Sequence, residues 1–269
     1  MTRLTEHDVR RLSERLGEFE ESLRRVTGCG LLEVAMQAAD AGPRAAGRLA
    51  GARLAVVPVS AGEGFIPGFA ECAAAILAHI GCDAFVTPEP DMRGWQAAAA
   101  GGAEAVFAAD DYRFLALNIH SGVCVDDDPA TAAGFVAALD AAAGGLAARP
   151  VLVLGLGPVG RAAVARLQHL GADVLAVERD QARVTAAAAT GLEFRLVTLD
   201  EGLAACRLVL DATPSPDLVD ASWVTVESIA AVPGLPSAFT AAAQAALGDC
   251  HIHEPLALGV AVMAVQVLA

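Results

Sequence analysis

One segment restricts what this chain can fold into more than any other. Val151-Leu-Val-Leu-Gly155-Leu-Gly157-Pro-Val-Gly160 reads as a buried strand entering a glycine-rich turn that opens a helix. Val174–Val177 follows as a second strand and ends on Glu178, eighteen residues beyond Gly160. Gly155 makes the tight turn, Gly157 lets the backbone approach a pyrophosphate, and Gly160 allows the helix to pack closely on the strand. The free N–H groups of the helix N-terminus attract the phosphates. A carboxylate at Glu178 accepts hydrogen bonds from both ribose hydroxyls and repels a 2′-phosphate, which selects NAD over NADP, although Arg179 beside it pulls the other way. The expected cofactor contacts are Gly155, Leu156, Gly157, Pro158, Val159, Gly160, Glu178 and Arg179. Two later strand-end loops add Ala212, Thr213 and Pro214 beside the ribose, and Pro233 and Gly234 near the nicotinamide.

At 269 residues the chain has room for two modest domains. Its apolar content of 55%, much of it alanine, is ample core for an α/β protein. No apolar run approaches the ~20 residues of a membrane span, and the charged start is unlike a signal peptide. A net charge of −14 argues against nucleic acid or anionic membrane as partners. Six cysteines with no C-x-x-C pair read as reduced thiols in a cytoplasmic protein. More telling, all 18 basic residues are arginine. Without lysine there is no Schiff base and no lysine general acid or base. The single asparagine, Asn118, and the single tyrosine, Tyr112, fall in one short segment.

Along the chain, Thr5 and Asp8 can cap a helix whose apolar stripe runs Val9, Leu12, Leu16, Phe19, Leu23, Val26, with Glu20–Arg24 and Glu21–Arg25 pairing on the wet face and Gly28 ending it. Residues 31–50 read as a second helical region. Strands at 54–59, 84–86 and 104–108 alternate with helices at 68–80 and 92–100, which predicts a parallel sheet. An alanine-rich helix over 129–147 leads to strands near 151–154, 174–177, 194–198, 207–211 and 223–228, a last strand at 251–254 and a helix from 258. The fold class is α/β: an N-terminal helical and α/β substrate domain over 1–148 and a Rossmann domain, a doubly wound parallel sheet, over 149–269. The last helix is free to pack back on the first domain. Trp95 and Trp223 read as core residues.

Ligands of open α/β sheets bind beyond the carboxyl ends of the strands. Ser60, after the first strand, is there either as a turn residue or as a substrate contact. Asp110 and Asp111 follow the third strand, near Tyr112 and Asn118, and suit a binding role. His251, His253 and Glu254, beside Cys250, raise a metal reading, but no second cluster supplies further ligands, so no metal is expected. Glu254, between the last strand and the last helix, reads as a cleft carboxylate.

Several of these segments together carry a resemblance. Val57-Pro-Val-Ser-Ala-Gly-Glu-Gly64, Phe85-Val-Thr87, Ala109-Asp-Asp111, Phe114-Leu-Ala116 with Asn118, the glycine turn, Asp211-Ala-Thr-Pro214, Pro233-Gly-Leu-Pro236 and Glu254-Pro-Leu256 keep an order and spacing similar to those of the PylD family, the dehydrogenases of pyrrolysine biosynthesis. The chain departs from the family pattern at Ala61 and Glu63 and at the run Asp126-Asp127-Asp128, where the family has asparagines. The resemblance implies NAD-dependent oxidation of a small amino-acid isopeptide, N6-(3-methyl-D-ornithyl)-L-lysine, at its terminal amine, giving a semialdehyde that cyclises to pyrrolysine. Asp110 and Glu254 would then hold ammonium groups and serve catalysis, with Ser60 and Asn118 as further substrate contacts. Since no lysine exists, a cleft carboxylate or an ordered water must take the proton of the reacting amine. The N-terminal helix would serve as a lid or as plain core. The alternatives are another NAD-dependent amino-acid or imine oxidoreductase, and an NAD-sensing module without catalysis. Oligomeric state is not legible.

Overall fold

The computed structural model describes residues 6–60 and 66–269, so Thr5 and the turn residues Ala61–Gly64 lie outside the described residues. Helices α1 (Glu6–Thr27), α2 (Leu31–Ala38) and α3 (Pro43–Leu49) precede β1 (Arg53–Val57), α4 (Phe69–His79), β2 (Asp83–Val86), α5 (Asp91–Ala100), β3 (Ala105–Ala109), β4 (Phe114–Asn118) and β5 (Cys124–Asp126). Helix α6 (Asp127–Ala143) then leads to β6 (Pro150–Leu154), α7 (Pro158–His169), β7 (Asp173–Val177), α8 (Gln181–Ala189), β8 (Arg195–Leu196), α9 (Leu199–Ala205) and β9 (Leu208–Asp211). β10 (Ile229–Ala231), α10 (Ala241–Leu247), β11 (His251–Ile252) and α11 (Ala257–Val267) complete the chain.

The first sheet has the order β2-β1-β3-β4-β5. β1 runs parallel to β2 and β3, but β3–β4 and β4–β5 are antiparallel, which corrects the expectation of a parallel sheet. The cause is local: only four residues, 110–113, join β3 to β4, enough for a hairpin and far too few for a crossover. The second sheet is parallel throughout, in the order β11-β10-β9-β6-β7-β8. The chain leaves β6 toward β7 and β8, then returns to β9 on the other side. That reversal opens a crevice past the carboxyl ends of β6 and β9.

The strand expected at 223–228 is instead a 3-10 turn at Ala221–Trp223 followed by a polar loop, and β10 begins only at Ile229. Thr225 and Ser228 bond each other and each other's backbone, so this stretch satisfies itself locally and leaves nothing for a ladder. Trp223 is buried against Phe239, their ring centroids 5.7 Å apart.

Helix α11 is apolar but for Gln266, and nearly all of it is buried, which makes it an internal helix. It packs on α2, α4 and α6. Helix α6 packs in turn on α7 and so lies between the two sheets. In α1, Val9, Leu16 and Leu23 are buried along the expected stripe. The Glu20–Arg24 pair forms at 2.7 Å, whereas Arg25 reaches across the chain to Asp249, with bonds of 2.6 and 2.9 Å, and Ser22 joins it at 2.8 Å. Among the described residues no helix is long and apolar enough to cross a membrane.

Candidate active site

The glycine turn is built as its spacing requires. Gly155 sits at φ +89, and its N–H donates to Val177 O at 2.8 Å. A side chain there would press on Ala212 O at 2.9 Å, and one at Gly160 would lie 1.9 Å from Gly155 O. Around Gly157 the opposite holds: among the described residues nothing lies within 4 Å of where its Cβ would stand. The N-terminus of α7 therefore opens onto free space, the room a pyrophosphate needs. Glu178 turns inward, accepting Leu156 N–H at 2.8 Å and Asp180 N–H at 2.9 Å on its two oxygens. Each oxygen keeps a lone pair for a ribose hydroxyl. Arg183 stands 3.8 Å away, and Arg179 is exposed. These residues fit NAD.

Ala212, Thr213 and Pro214 lie beside this cradle, because Leu154 is in register with Asp211 across β6 and β9. Asp211, which the sequence reading did not single out, is fully buried. It accepts Thr213 N–H at 3.0 Å and Ala238 N–H at 2.7 Å, and burial pushes its carboxyl up to about 7. An acid closing the otherwise apolar strand Leu208-Val-Leu210 was the available signal.

Glu254 is buried just before α11. One carboxylate oxygen accepts Leu256 N–H at 3.1 Å and also Ala257 N–H, capping the helix. The other oxygen is buried and has no partner among the described residues. Burial raises the carboxyl to about 7, against the opposing pull of the two N–H bonds. An acid so tuned can take a proton near neutral pH. Glu254 also lines a cleft of about 770 Å³ with Phe19, Leu235 and His253. Asp110 has the opposite character. It is exposed at the β3–β4 turn, accepting Tyr112 N–H and Arg113 N–H at 2.8 Å each, and those bonds hold its carboxyl below the usual range. It is a fixed anion and a weak base.

Both carboxylates lie at the same end of the first sheet, separated by the first turns of α4. Phe69 stacks edge-on against Phe114, centroids 5.2 Å apart. One turn on, the Cys72 thiol is pushed up to about 12 by burial and by the charge of Glu254. Ser60 follows β1 at this end, with its N–H 2.9 Å and its hydroxyl 2.5 Å from Asp91 carboxylate oxygens. Asp127, which the sequence reading noted only as a departure, begins α6 here and accepts the Thr131 hydroxyl at 2.9 Å. Burial raises its carboxyl to about 7.

Asn118 does not join this group. It closes β4 at the far end, where its amide donates to Val267 O at 3.0 Å and its oxygen accepts His120 N–H and Ser121 N–H. Val267 ends α11 while Glu254 precedes it, and ten residues of helix rise ~15 Å between those ends. Asn118 thus clamps the end of β4 to the end of α11, away from Glu254, where a substrate contact was expected of it. His251 and His253 have ring centroids 5.4 Å apart. His253 Nδ1 is 2.8 Å from Val232 O, and burial lowers His251 to about 3, so it is neutral. No metal-holding group of three or more such side chains occurs among the described residues.

Comparison with known proteins meets this geometry. Residues 8–125 match the family described as pyrrolysine biosynthesis protein PylD, N-terminal domain, and residues 127–221 match the D-isomer specific 2-hydroxyacid dehydrogenase NAD-binding domain. The chain is 31% identical, over its whole length and that of the relative, to the pyrrolysine synthase of Methanosarcina acetivorans. It belongs to the pyrrolysine synthase family. The Methanosarcina barkeri member is 30% identical over 80% of this chain and 81% of its own. Two solved structures share the fold alone. Quinate dehydrogenase from Corynebacterium glutamicum in complex with NAD has a TM-score of 0.53 at 16% identity, covering 81% of this chain and 93% of that one. The 5-ketofructose reductase of Gluconobacter sp. has 0.53 at 15%, covering 80% and 92%. The family's dehydrogenase fold thus carries its NAD cradle in the second sheet, and the chain is an NAD-dependent oxidoreductase.

Proposed function

We propose that this enzyme oxidises the terminal amine of N6-(3-methyl-D-ornithyl)-L-lysine and releases the semialdehyde that closes to pyrrolysine. The observation that carries the reading is the contrast between its two carboxyls: Glu254, tuned to about 7 with one oxygen unpartnered among the described residues, and Asp110, held ionised. A substrate with several ammonium groups needs both kinds. Asp110 binds one ammonium by a charge-assisted hydrogen bond, with Ser60 beside it. Glu254 takes a proton from the reacting ammonium, so that the amine nitrogen can push out hydride from its carbon. NAD, when bound, supplies the hydride acceptor. The resulting imine adds water and loses ammonia, and the ornithyl α-amine then condenses with the aldehyde and loses water. Ring closure needs only that the chain be held folded.

The test is NADH formation from NAD and the isopeptide, with the product identified by mass spectrometry. Asp110→Asn is expected to raise KM at least ~10-fold while NAD binding stays intact, since a charged hydrogen bond is lost. A wild-type enzyme that forms no NADH at any pH refutes the reading. Turnover unaffected by Asp110→Asn removes Asp110 from the site.

A further inference from the structure

Asp211 is a buried carboxylate that the proposed chemistry does not use, and it stands at a junction. Its side chain accepts Thr213 N–H and Ala238 N–H, while its own carbonyl accepts Gly234 N–H at 2.9 Å. Three chain segments are thereby tied together: the end of β9, the loop from 212 to 216, and the loop from 233 to 238. Among the described residues its carboxylate is held by backbone N–H groups and by no side chain.

The segments it joins lead in two directions. On one side Ala212 and Thr213 touch the glycine turn, since a Cβ at Gly155 would meet Ala212 O at 2.9 Å and Thr213 Cβ at 3.4 Å. On the other, Val232 bonds to Ile252 O at 2.9 Å and its carbonyl meets His253, next to Glu254, while Leu235 lines the cleft with them. The fit between the loops is tight. A Cβ on Gly234 would stand 2.5 Å from Thr213 O and 3.3 Å from the Asp211 carboxyl carbon.

We propose that Asp211 is a positioning residue for the nicotinamide half of the cofactor: by clamping loops 212–216 and 233–238 to one another, it fixes that half's wall relative to Glu254. The adenosine half is held elsewhere, by Glu178 and the N-terminus of α7. This rests on the NAD reading of the glycine turn. It separates the two halves of the dinucleotide in a measurable way, because ADP-ribose keeps the adenosine diphosphate contacts and lacks the nicotinamide.

Asp211→Asn keeps the size but offers one acceptor oxygen and an NH2 that faces an N–H donor. The experiment compares dissociation constants of NAD and ADP-ribose, by calorimetry, for wild type and variant. The expected result is a loss of about tenfold or more in NAD affinity, with ADP-ribose affinity changed less than about twofold. Gly234→Ala drives a methyl group into Thr213 O and is expected to show the same split, which decides the matter if Asp211→Asn does not fold. Equal loss for both ligands, or loss for neither, overturns the positioning role alone. A wild-type protein that binds neither ligand overturns the NAD reading with it.

Discussion

Replacing Glu254 by Gln separates the two consequences of burying an acid. Glutamine keeps an oxygen for Leu256 N–H and Ala257 N–H, so the cap on α11 survives, but it cannot ionise. In the wild type, burial moves the carboxyl from 4.5 to about 7. That displacement is ~3 kcal/mol of preference for the neutral form in the fold. The sign follows from linkage: with the folded value raised, the contribution of Glu254 is fully present below 4.5 and is lost as pH rises through 7. Glu254→Gln has no such loss. Its stability relative to wild type is therefore expected to climb by ~2.5 kcal/mol between pH 5 and pH 9, or roughly 5–10 °C in melting temperature for a chain of this size. Asp127 and Asp211 titrate in both proteins and cancel from the difference. The assay is thermal unfolding of both proteins across that range, with NAD titrations alongside. The variant should bind NAD normally and turn over at least ~100-fold more slowly, as expected when a general base is lost. Melting curves that stay a constant distance apart, or a wild type that gains on the variant as pH rises, would refute the argument.

Further outcomes follow from other groups. The rate, measured as kcat/KM, should rise with pH along a limb near pH 7, since Glu254 must be ionised to accept a proton, and Asp110, held lower, should add no limb of its own. A pH profile flat between 5.5 and 8.5 would contradict this, and Glu254→Gln should erase the limb. Gly160→Ala places a methyl 1.9 Å from Gly155 O. It should abolish NAD binding and lower stability by ~1–3 kcal/mol, checked by calorimetry and denaturant unfolding. Glu178→Gln removes the charge facing the adenosine ribose, so the preference for NAD over NADP should fall by about tenfold or more, read from the two dissociation constants.

The glycine turn was legible because each of its glycines answers to a local constraint, and Glu178 lies one crossover away along the chain. Glu254 was legible too, as an acid between a strand and a helix past the carboxyl edge of a sheet. Its tuning was not, since burial by α4 and α11 is a property of packing that spacing does not carry. The place of Asn118 was hidden for a related reason. Its nearness to Asp110 in sequence hides the fact that one strand, β4, takes it to the opposite end of the sheet. The mixed sheet was missed because alternation of strands and helices through β3 set the pattern, and the four-residue link to β4 breaks it. Thr225 and Ser228 hid the start of β10 behind a run of strand-like residues. Asp211 passed as part of a loop signature, although its role comes from Ala238, far beyond any local window.

Helix α11 ends the chain yet forms the interior of its first half, against α2 and α4, while the NAD cradle is built from the residues between. The protein is therefore not a pair of modules laid end to end. A gene fragment ending after the cradle would encode a first half with an unfilled centre, and a foreign cradle grafted onto it would have to bring this same helix.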